Sequence, residues 1–198
     1  VFEFAEEANQ PHIVMEFLRG IQLGTRMSTP PPLTLGDKLD IVAQLCSGLG
    51  YAHSQGVVHR DVKPANVFIL EDGTVKLLDF GIAKLATSTL TQQGDVLGSA
   101  PYMSPEQVSG NQNLDGRSDV WSTGVLLFEL LSGRKPFRGD ELTTVLVGIL
   151  KDDPPSLDAL VPGLPAPLVA AVARALEKNP QRRTATAEEL GRELQRIR

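Results

Sequence analysis

The stretch GVVHRDVKPANVFIL, residues 56–70, constrains the fold most strongly because it sets a dense group of polar side chains between two apolar runs. The polar residues are His59, Arg60, Asp61, Lys63 and Asn66. The apolar runs on either side, 57–58 and 67–70, are typical of chain that enters and leaves a core. A core segment tolerates so many polar groups only if each one is paired. The stretch therefore predicts a polar loop built into the body of the protein.

A helix is predicted before this loop, with its cap at residue 34. The hydroxyl of Thr34 and the carboxylate of Asp37 can both satisfy free N–H groups in a first helical turn. Apolar residues then recur at helical spacing and predict one buried stripe, formed by Leu35, Leu39, Val42, Cys46 and Leu49. Since Cys46 lies on that stripe, we expect it to pack in the core and not to act as a reactive thiol.

Short strands flank the loop, and helices dominate the rest of the chain. Residues 1–18 predict two strands and residues 19–32 a loop, while 67–70 and 75–78 predict a hairpin because Asp72-Gly73 lies between them. From Asp115 onward the pattern is helical, with Pro and Gly clusters between the helices. No repeat or linker indicates a second domain. The fold class is therefore α+β, a short strand portion on a mostly helical body, in one domain spanning 1–198.

Charge and composition exclude several classes of function. The chain has 19 Lys+Arg and 24 Asp+Glu, a net charge of −5, which argues against broad binding of nucleic acid or of an anionic membrane. A single cysteine permits no intrachain disulfide. The longest apolar stretch, VLLFELL at 125–131, contains a Glu and is too short to span a bilayer. We expect a segment without membrane contact and a cytoplasmic location.

The predicted hairpin brings chemistry-bearing residues together. Asp61 and Asp79 flank it, and a tight hairpin returns the chain to nearly its starting point, so two carboxylates and the amide of Asn66 should converge. Oxygen ligands of this kind suit Mg²⁺, which takes the rest of its shell from water and substrate phosphates. Lys63 adds an ammonium where phosphate charge can develop. The arrangement favours phosphoryl transfer, in which positioning and charge neutralisation supply most of the catalysis.

These motifs resemble a known family. HRDVKPAN followed by DFG and then SPE is similar to the signature set of protein kinases. GSAPYMSPEQ, SDVWSTGVLLFELLSGRKPF and KNPQRRTATAEEL resemble the bacterial Ser/Thr protein kinases of the eukaryotic, or Hanks, type. The resemblance implies a protein-kinase-like fold, with the end of the small lobe and the hinge at 1–18 and the mostly helical large lobe at 19–198.

The resemblance implies roles for the loop residues. Asp61 is expected to accept the proton of the substrate hydroxyl, or to orient that hydroxyl, and Lys63 to steady the transferred phosphoryl group. Asn66 and Asp79 are expected to bind Mg²⁺, with Mn²⁺ as an alternative ion. ATP is the implied donor. The implied acceptors are Ser/Thr hydroxyls of proteins, including the kinase itself.

The resemblance also implies a nucleotide site next to the loop. The stretch MEFL is similar to the kinase hinge, where the backbone of Glu16 and Leu18 would hydrogen-bond adenine. Met15 would guard the pocket behind the adenine. Phe68 falls where the family often has Leu beneath the ring, and it would supply a bulkier apolar floor.

Other matched residues are expected to support the structure. Glu106 and Arg183 resemble the buried ion pair that ties SPE to the late helices. Asp119 resembles the residue that holds the loop backbone from the buried helix. His59 is expected to be architectural, and Ser99 to bond Asp61 and Lys63.

The resemblance also implies a role for Arg60: in that family an Arg directly before the catalytic Asp goes with control by phosphorylation of the activation loop, here 79–106, because Arg can bind phosphate bidentately. Candidate acceptors are Thr87, Ser88, Thr89 and Thr91. The competing interpretation is that small hydroxyl residues simply fill a mobile loop.

The sequence departs from the family by omission. It contains no G-x-G-x-x-G, and its first Lys is Lys38, well after the hinge. We therefore expect a kinase domain without most of its small lobe, which alone would bind ATP poorly and have little activity; a membrane anchor of the full-length protein would lie outside this segment. Three functions stay open: an active Ser/Thr kinase seen in part, a non-catalytic pseudokinase or binding scaffold, and a phosphotransferase for small molecules.

Overall fold

The computed structural model describes residues 3–7, 10–14, 16–79 and 98–198. Strands β1 (Glu3–Glu7) and β2 (Gln10–Val14) form an antiparallel pair, with Glu3 opposite Val14. A second, antiparallel sheet has the order β3-β4-β5, where β3 is Gly20–Gln22, β4 is Val67–Leu70 and β5 is Val75–Leu77. The helices are α1 (Leu23–Ser28), α2 (Leu35–Ser54), α3 (Pro105–Val108), α4 (Arg117–Ser132), α5 (Leu142–Lys151), α6 (Leu157–Leu160), α7 (Ala166–Ala175) and α8 (Ala187–Ile197).

Helix α2 begins as the sequence predicts. Thr34 Oγ1 accepts a hydrogen bond from the Asp37 N–H, and Asp37 Oδ2 accepts one from the Thr34 N–H, so the capping box is complete. Four residues of the predicted stripe are buried, but Leu35 is exposed because the cover over the stripe does not reach the first turn. The prediction for Leu35 was therefore wrong. Cys46 is fully buried, as predicted, and burial raises the pKa of its thiol to about 12.

The predicted hairpin is present, and a third strand extends it. Gly73 has φ +83° and occupies the turn, where its N–H donates to the Leu70 carbonyl. Strand β3 lies within a segment that we predicted to be a loop, and it pairs with β4. At Gly20 a side chain is excluded, since a Cβ there would lie 2.1 Å from the Ile69 carbonyl oxygen. Helix α1 lies in the same segment.

The core is built around helix α4, nearly all of whose residues are buried. It contacts α2, α7 and α8, and its Trp121 is fully buried and stacks on Phe137 at a centroid distance of 5.8 Å. The hairpin β4–β5 also contacts α2. The polar loop 59–66 therefore runs between the N-terminal end of the central helix and the hairpin. Over the described ranges, no helix has both the length and the apolar character needed to cross a membrane.

Candidate active site

Asp119 holds the backbone of residues 59–66, which we name the HRD loop. It lies in the first turn of α4 with no solvent exposure. Its Oδ2 accepts a hydrogen bond from the His59 N–H and its Oδ1 one from the Arg60 N–H, each at 2.8 Å. His53, at the end of α2, places Nε2 2.8 Å from the same Oδ2. One buried carboxylate thus fixes two consecutive backbone amides of the loop.

The His59 ring joins the loop to the end of β5. Its Nδ1 accepts a hydrogen bond from the Asp61 N–H at 3.2 Å, so that nitrogen carries no proton. Its Nε2 lies 2.9 Å from the Leu78 carbonyl oxygen and must be the donor in that contact. The ring is fully buried. These bonds match the architectural position that the resemblance implies for His59.

Asp61, Lys63, Asn66 and Ser99 form one cluster. Asp61 Oδ2 lies 2.9 Å from Lys63 Nζ and accepts a hydrogen bond from Asn66 Nδ2 at 3.2 Å. Asn66 Nδ2 also donates to the Asp61 carbonyl at 2.8 Å, and Lys63 Nζ donates to Ser99 Oγ at 2.7 Å. The contacts on Oδ2 orient the carboxylate. Lys63 has three N–H groups, and these two contacts leave one for an incoming ligand.

The hairpin brings Asp79 back to this cluster. The Leu78 N–H donates to the Asn66 carbonyl at 2.8 Å, so Asp79, the next residue, emerges beside Asn66 with its side chain exposed. Both hydrogen bonds of the Asn66 side chain use its nitrogen, and no described residue donates to its amide oxygen. That oxygen and the Asp79 carboxylate are hard donors that fit Mg²⁺. Within the described part of the chain, no group of three or more His, Cys, Asp or Glu side chains could hold a metal ion.

Backbone strain concentrates in the site. Among the described residues other than glycine, positive φ values occur at Arg60 (+67°) and Asp79 (+53°). A left-handed conformation costs a non-glycine residue about 1–3 kcal/mol and persists only where the surroundings enforce it. Asp119 supplies that restraint on the N–H side of Arg60. Both strained residues flank groups to which the resemblance gives roles in the reaction.

The predicted nucleotide site is partly described. Met15 lies outside the described residues. Glu16 is exposed and forms an ion pair with Lys76, and Leu18 is half-buried. No described residue hydrogen-bonds the main chain of Glu16 or Leu18, so those backbone groups can accept a ligand. Phe68 is half-buried on β4, opposite Gln22 and Lys76.

The predicted regulatory residues are described only in part. Thr87, Ser88, Thr89 and Thr91 lie outside the described residues. No described residue accepts a hydrogen bond from the guanidinium group of Arg60, which is half-buried.

Arg183 and Glu106 form a buried ion pair, which we name the anchor. Arg183 Nη1 and Nη2 lie 2.7 and 3.1 Å from the two oxygens of Glu106. The remaining N–H groups of Arg183 donate to the carbonyls of Arg117, Glu177 and Lys178, so all five are used. Burial alone would raise the pKa of Glu106, but the hydrogen bonds and charge of Arg183 outweigh it and leave this pKa below its ordinary value.

Three residues of this region were not singled out from the sequence. His53 contacts Asp119, and the Tyr102 hydroxyl donates to the Glu129 carboxylate. Gln107 Nε2 donates to the Arg60 carbonyl at 2.8 Å. These contacts join residues far apart in sequence. The one available signal was the S-x-x-Q pattern of Ser104 and Gln107, a capping-box motif.

A cavity of about 540 Å³ opens beside Lys63. Its lining combines polar groups of Gln22, Lys63 and Glu129 with the apolar side chain of Met27 and the ring of Tyr102. A cavity of this size, next to the Asp61–Lys63 pair, lies within the range of ligand-binding pockets.

The site, the fold and the motifs together define a protein kinase domain. The protein kinase domain family matches residues 1–193, and the chain belongs to that family. The relatives it resembles are bacterial serine/threonine-protein kinases. PknB of Mycobacterium tuberculosis (strain ATCC 25618 / H37Rv) is 41% identical over 190 residues, which cover 94% of this chain and 30% of the relative.

Two further relatives agree with this assignment. PknB of Mycobacterium leprae (strain TN) is 42% identical over 189 residues, covering 94% of this chain and 30% of the relative. PknL of the same Mycobacterium tuberculosis strain is 39% identical over 198 residues, covering 100% of this chain and 49% of the relative. The chain thus covers 30% of the length of the two PknB relatives and 49% of PknL. Family membership implies use of ATP and a divalent metal.

Proposed function

We propose that the protein carrying this chain transfers the γ-phosphoryl group of ATP to Ser and Thr hydroxyls of proteins, itself included. The observation that carries the proposal is the contact of the Asp61 carboxylate with Lys63 Nζ at 2.9 Å. Membership of the protein kinase domain family supports it, as do relatives named serine/threonine-protein kinases. A phosphotransferase for small molecules is not favoured by any contact in the described site.

Asp61 acts on the acceptor hydroxyl. Its oriented carboxylate accepts a hydrogen bond from the hydroxyl and aligns the oxygen with the γ-phosphorus of ATP. It receives the hydroxyl proton as the new O–P bond forms and the bond from the γ-phosphorus to the β,γ-bridging oxygen breaks, which releases ADP. Lys63 lies beside that carboxylate, and its remaining N–H group binds an oxygen of the transferred phosphoryl group. Its Nζ also donates to Ser99 Oγ at 2.7 Å, which restrains the side chain.

Asn66 and Asp79 are the proposed metal ligands, with Mg²⁺ as the ion and Mn²⁺ as a substitute. The ion, when bound, neutralises charge on the phosphate oxygens. Asn66 contributes its amide oxygen because its nitrogen is engaged by Asp61. The backbone groups of Glu16 and Leu18 are proposed to hydrogen-bond adenine. Phe68 would supply an apolar surface beneath the ring, and Met15 would guard the pocket behind it. Use of ATP and a reduced, buried Cys46 fit a cytoplasmic location.

Transfer of labelled phosphate tests the function. The full-length protein is incubated with γ-³²P-labelled ATP, Mg²⁺ and a generic protein substrate, and the products are hydrolysed to phosphoamino acids. We expect label on Ser and Thr, its loss on chelation of the metal and its return with Mg²⁺ or Mn²⁺. The Asp61→Asn variant is the matched control. Absence of transfer by the parent protein would contradict the proposal and favour a non-catalytic scaffold.

Regulation by autophosphorylation is a separate part of the proposal. Arg60 carries a guanidinium group to which no described residue provides an acceptor, and such a group can bind phosphate bidentately. Thr87, Ser88, Thr89 and Thr91 are the proposed acceptors. Intact-mass analysis followed by peptide mapping after incubation with ATP tests this, and the absence of phosphate within 87–91 would contradict it.

A further inference from the structure

The orientation of Asp61 depends on the peptide group between Arg60 and Asp61. Peptide groups are planar, so fixing the carbonyl oxygen and the N–H fixes the position of the next Cα and the direction of its N–Cα bond, and the side chain can then turn only about that bond. The Asp61 N–H donates to His59 Nδ1 at 3.2 Å. The carbonyl oxygen of Arg60, on the other side of the same plane, accepts a hydrogen bond from Gln107 Nε2 at 2.8 Å.

This peptide needs restraint because Arg60 has φ +67°. That conformation is unfavourable for a residue with a side chain, so a loop without external contacts would relax out of it. Asp119 restrains the N–H side of Arg60. Within the described part of the chain, Gln107 is the residue that restrains its carbonyl side.

The Gln107 side chain is itself held rigidly. It is the third residue of α3, where Oε1 accepts a hydrogen bond from the Ser104 N–H at 2.9 Å and the Gln107 N–H donates to Ser104 Oγ. Ser104 is fully buried, and Glu106, the preceding residue, belongs to the anchor. Because one end of the amide faces a donor and the other an acceptor, its orientation is determined.

We propose that Gln107 is a positioning residue, which holds the Arg60–Asp61 peptide and thereby fixes the backbone position from which the Asp61 side chain extends. This inference rests on the proposed kinase activity. A capping box accepts Glu or Gln equally, but Glu ionised at neutral pH has no hydrogen to give the Arg60 carbonyl. The amide is therefore needed for the HRD loop and not for α3.

The Gln107→Glu substitution separates the two functions of the side chain. It preserves the acceptor that caps α3, removes the donor to Arg60 and places a carboxylate oxygen against the Arg60 carbonyl. In the full-length protein we expect kcat for transfer to a Ser/Thr peptide to fall by about 10–100-fold, since small misplacement of a reacting group has effects of this size. We expect the KM for ATP to change by less than about twofold, because no contact of Gln107 reaches the proposed nucleotide groups.

Two controls distinguish positioning from loss of structure. Thr186→Ala removes the cap of α8, whose contacts are with α2, α4 and α7, and should lower the melting temperature by about 2–4 °C without lowering kcat. Hydrogen exchange, measured without ATP, should speed up at the Asp61 amide by about tenfold or more in Gln107→Glu and stay unchanged in Thr186→Ala.

Unchanged exchange at Asp61 in Gln107→Glu, or a kcat within about twofold of the parent, would overturn the inference. If the parent protein transfers no phosphate, the proposed function fails. The hydrogen-exchange rates at the Asp61 amide then test by themselves whether Gln107 holds the Arg60–Asp61 peptide.

Discussion

The anchor and the HRD loop are both dense polar clusters in a largely apolar body, but they use their hydrogen-bonding groups differently. In the anchor, all five N–H groups of Arg183 have acceptors, and its side chain has no solvent exposure. In the HRD loop, Lys63 keeps an N–H group beyond its two contacts, its side chain is 21% exposed, and the amide oxygen of Asn66 receives no hydrogen bond from any described residue.

The difference shows how to distinguish structural from reactive polar groups. A saturated buried pair binds nothing further, and its loss leaves a charge without a partner, so it acts on folding. A cluster with remaining donors and acceptors can engage a substrate and a metal ion. The backbone of that cluster must then be held from outside, which Asp119 and Gln107 do.

Substitution of Asp119 should lower both the stability of the protein and its kcat, and we expect it to have the largest effect. Asp119→Asn places an amide hydrogen against one of the two loop N–H groups in a fully buried position. We expect the free energy of unfolding to fall by about 3–5 kcal/mol, together with a loss of kcat. Urea unfolding and a steady-state kinase assay measure the two. A variant that lost activity at unchanged stability would contradict the proposed backbone role.

Breaking the anchor should affect stability alone. Arg183→Ala leaves Glu106 half-buried without its partner and should lower the free energy of unfolding by about 3–5 kcal/mol. For the folded fraction, kcat should stay close to that of the parent, since Arg183 contacts no group in the HRD loop. Urea unfolding monitored by circular dichroism gives the stability. A loss below about 1 kcal/mol would place this pair with ordinary surface pairs.

The anchor should also give the protein an acid-sensitive component of stability. The pKa of Glu106 lies below its ordinary value of 4.5 in the folded state, so the folded state binds fewer protons than the unfolded state as pH falls. The stabilisation is complete above the ordinary pKa and is lost as pH falls through the folded pKa. Urea unfolding from about pH 7 to about pH 3 measures the difference in free energy of unfolding between the parent and Glu106→Gln. This difference should become smaller only below about pH 4.5. A difference independent of pH would contradict this.

Loss of an exposed ion pair should have the smallest effect on the free energy of unfolding, and it serves as the matched control for the anchor. Arg198 contacts Asp40 at 2.8 Å, but 58% of the Arg198 side chain is exposed. Arg198→Ala should change the free energy of unfolding by about 0–1 kcal/mol, because solvent screens such pairs. The same urea unfolding measurement applies. A loss as large as that for Arg183→Ala would show that the complete hydrogen bonding of Arg183 does not distinguish the anchor from an exposed ion pair.

Local patterns in the sequence predicted the parts of the fold that depend on neighbours along the chain. The Thr34–Asp37 capping box and the Asp72-Gly73 turn each use residues within a few positions, and both are present. Strand β3 was missed because its three residues form a strand only by pairing with β4, far along the chain. Leu35 was predicted to be buried because helical spacing does not reveal where the cover over a helix ends.

The candidate site likewise has parts that local sequence patterns predict and parts that depend on contacts between distant residues. The polar motif of the HRD loop and the pattern of the hairpin are visible in the sequence, and together they predict that Asp79 lies beside Asn66. The contacts of His53 with Asp119 and of Gln107 with Arg60 join residues 66 and 47 positions apart, so no local pattern indicates them. The roles given to the loop residues, and the extent of the domain, stay predictions until activity is measured.

The most direct test of the contrast between the two clusters is the parallel measurement of kcat and free energy of unfolding for Asp61→Asn. The substitution keeps the shape of the side chain and removes its charge and basicity. We predict that kcat falls by about 10²–10⁴-fold, the range for a lost general base, while the free energy of unfolding changes by less than about 1 kcal/mol. A variant that kept its kcat, or that unfolded as readily as Arg183→Ala, would contradict the division between a reactive loop and a structural anchor.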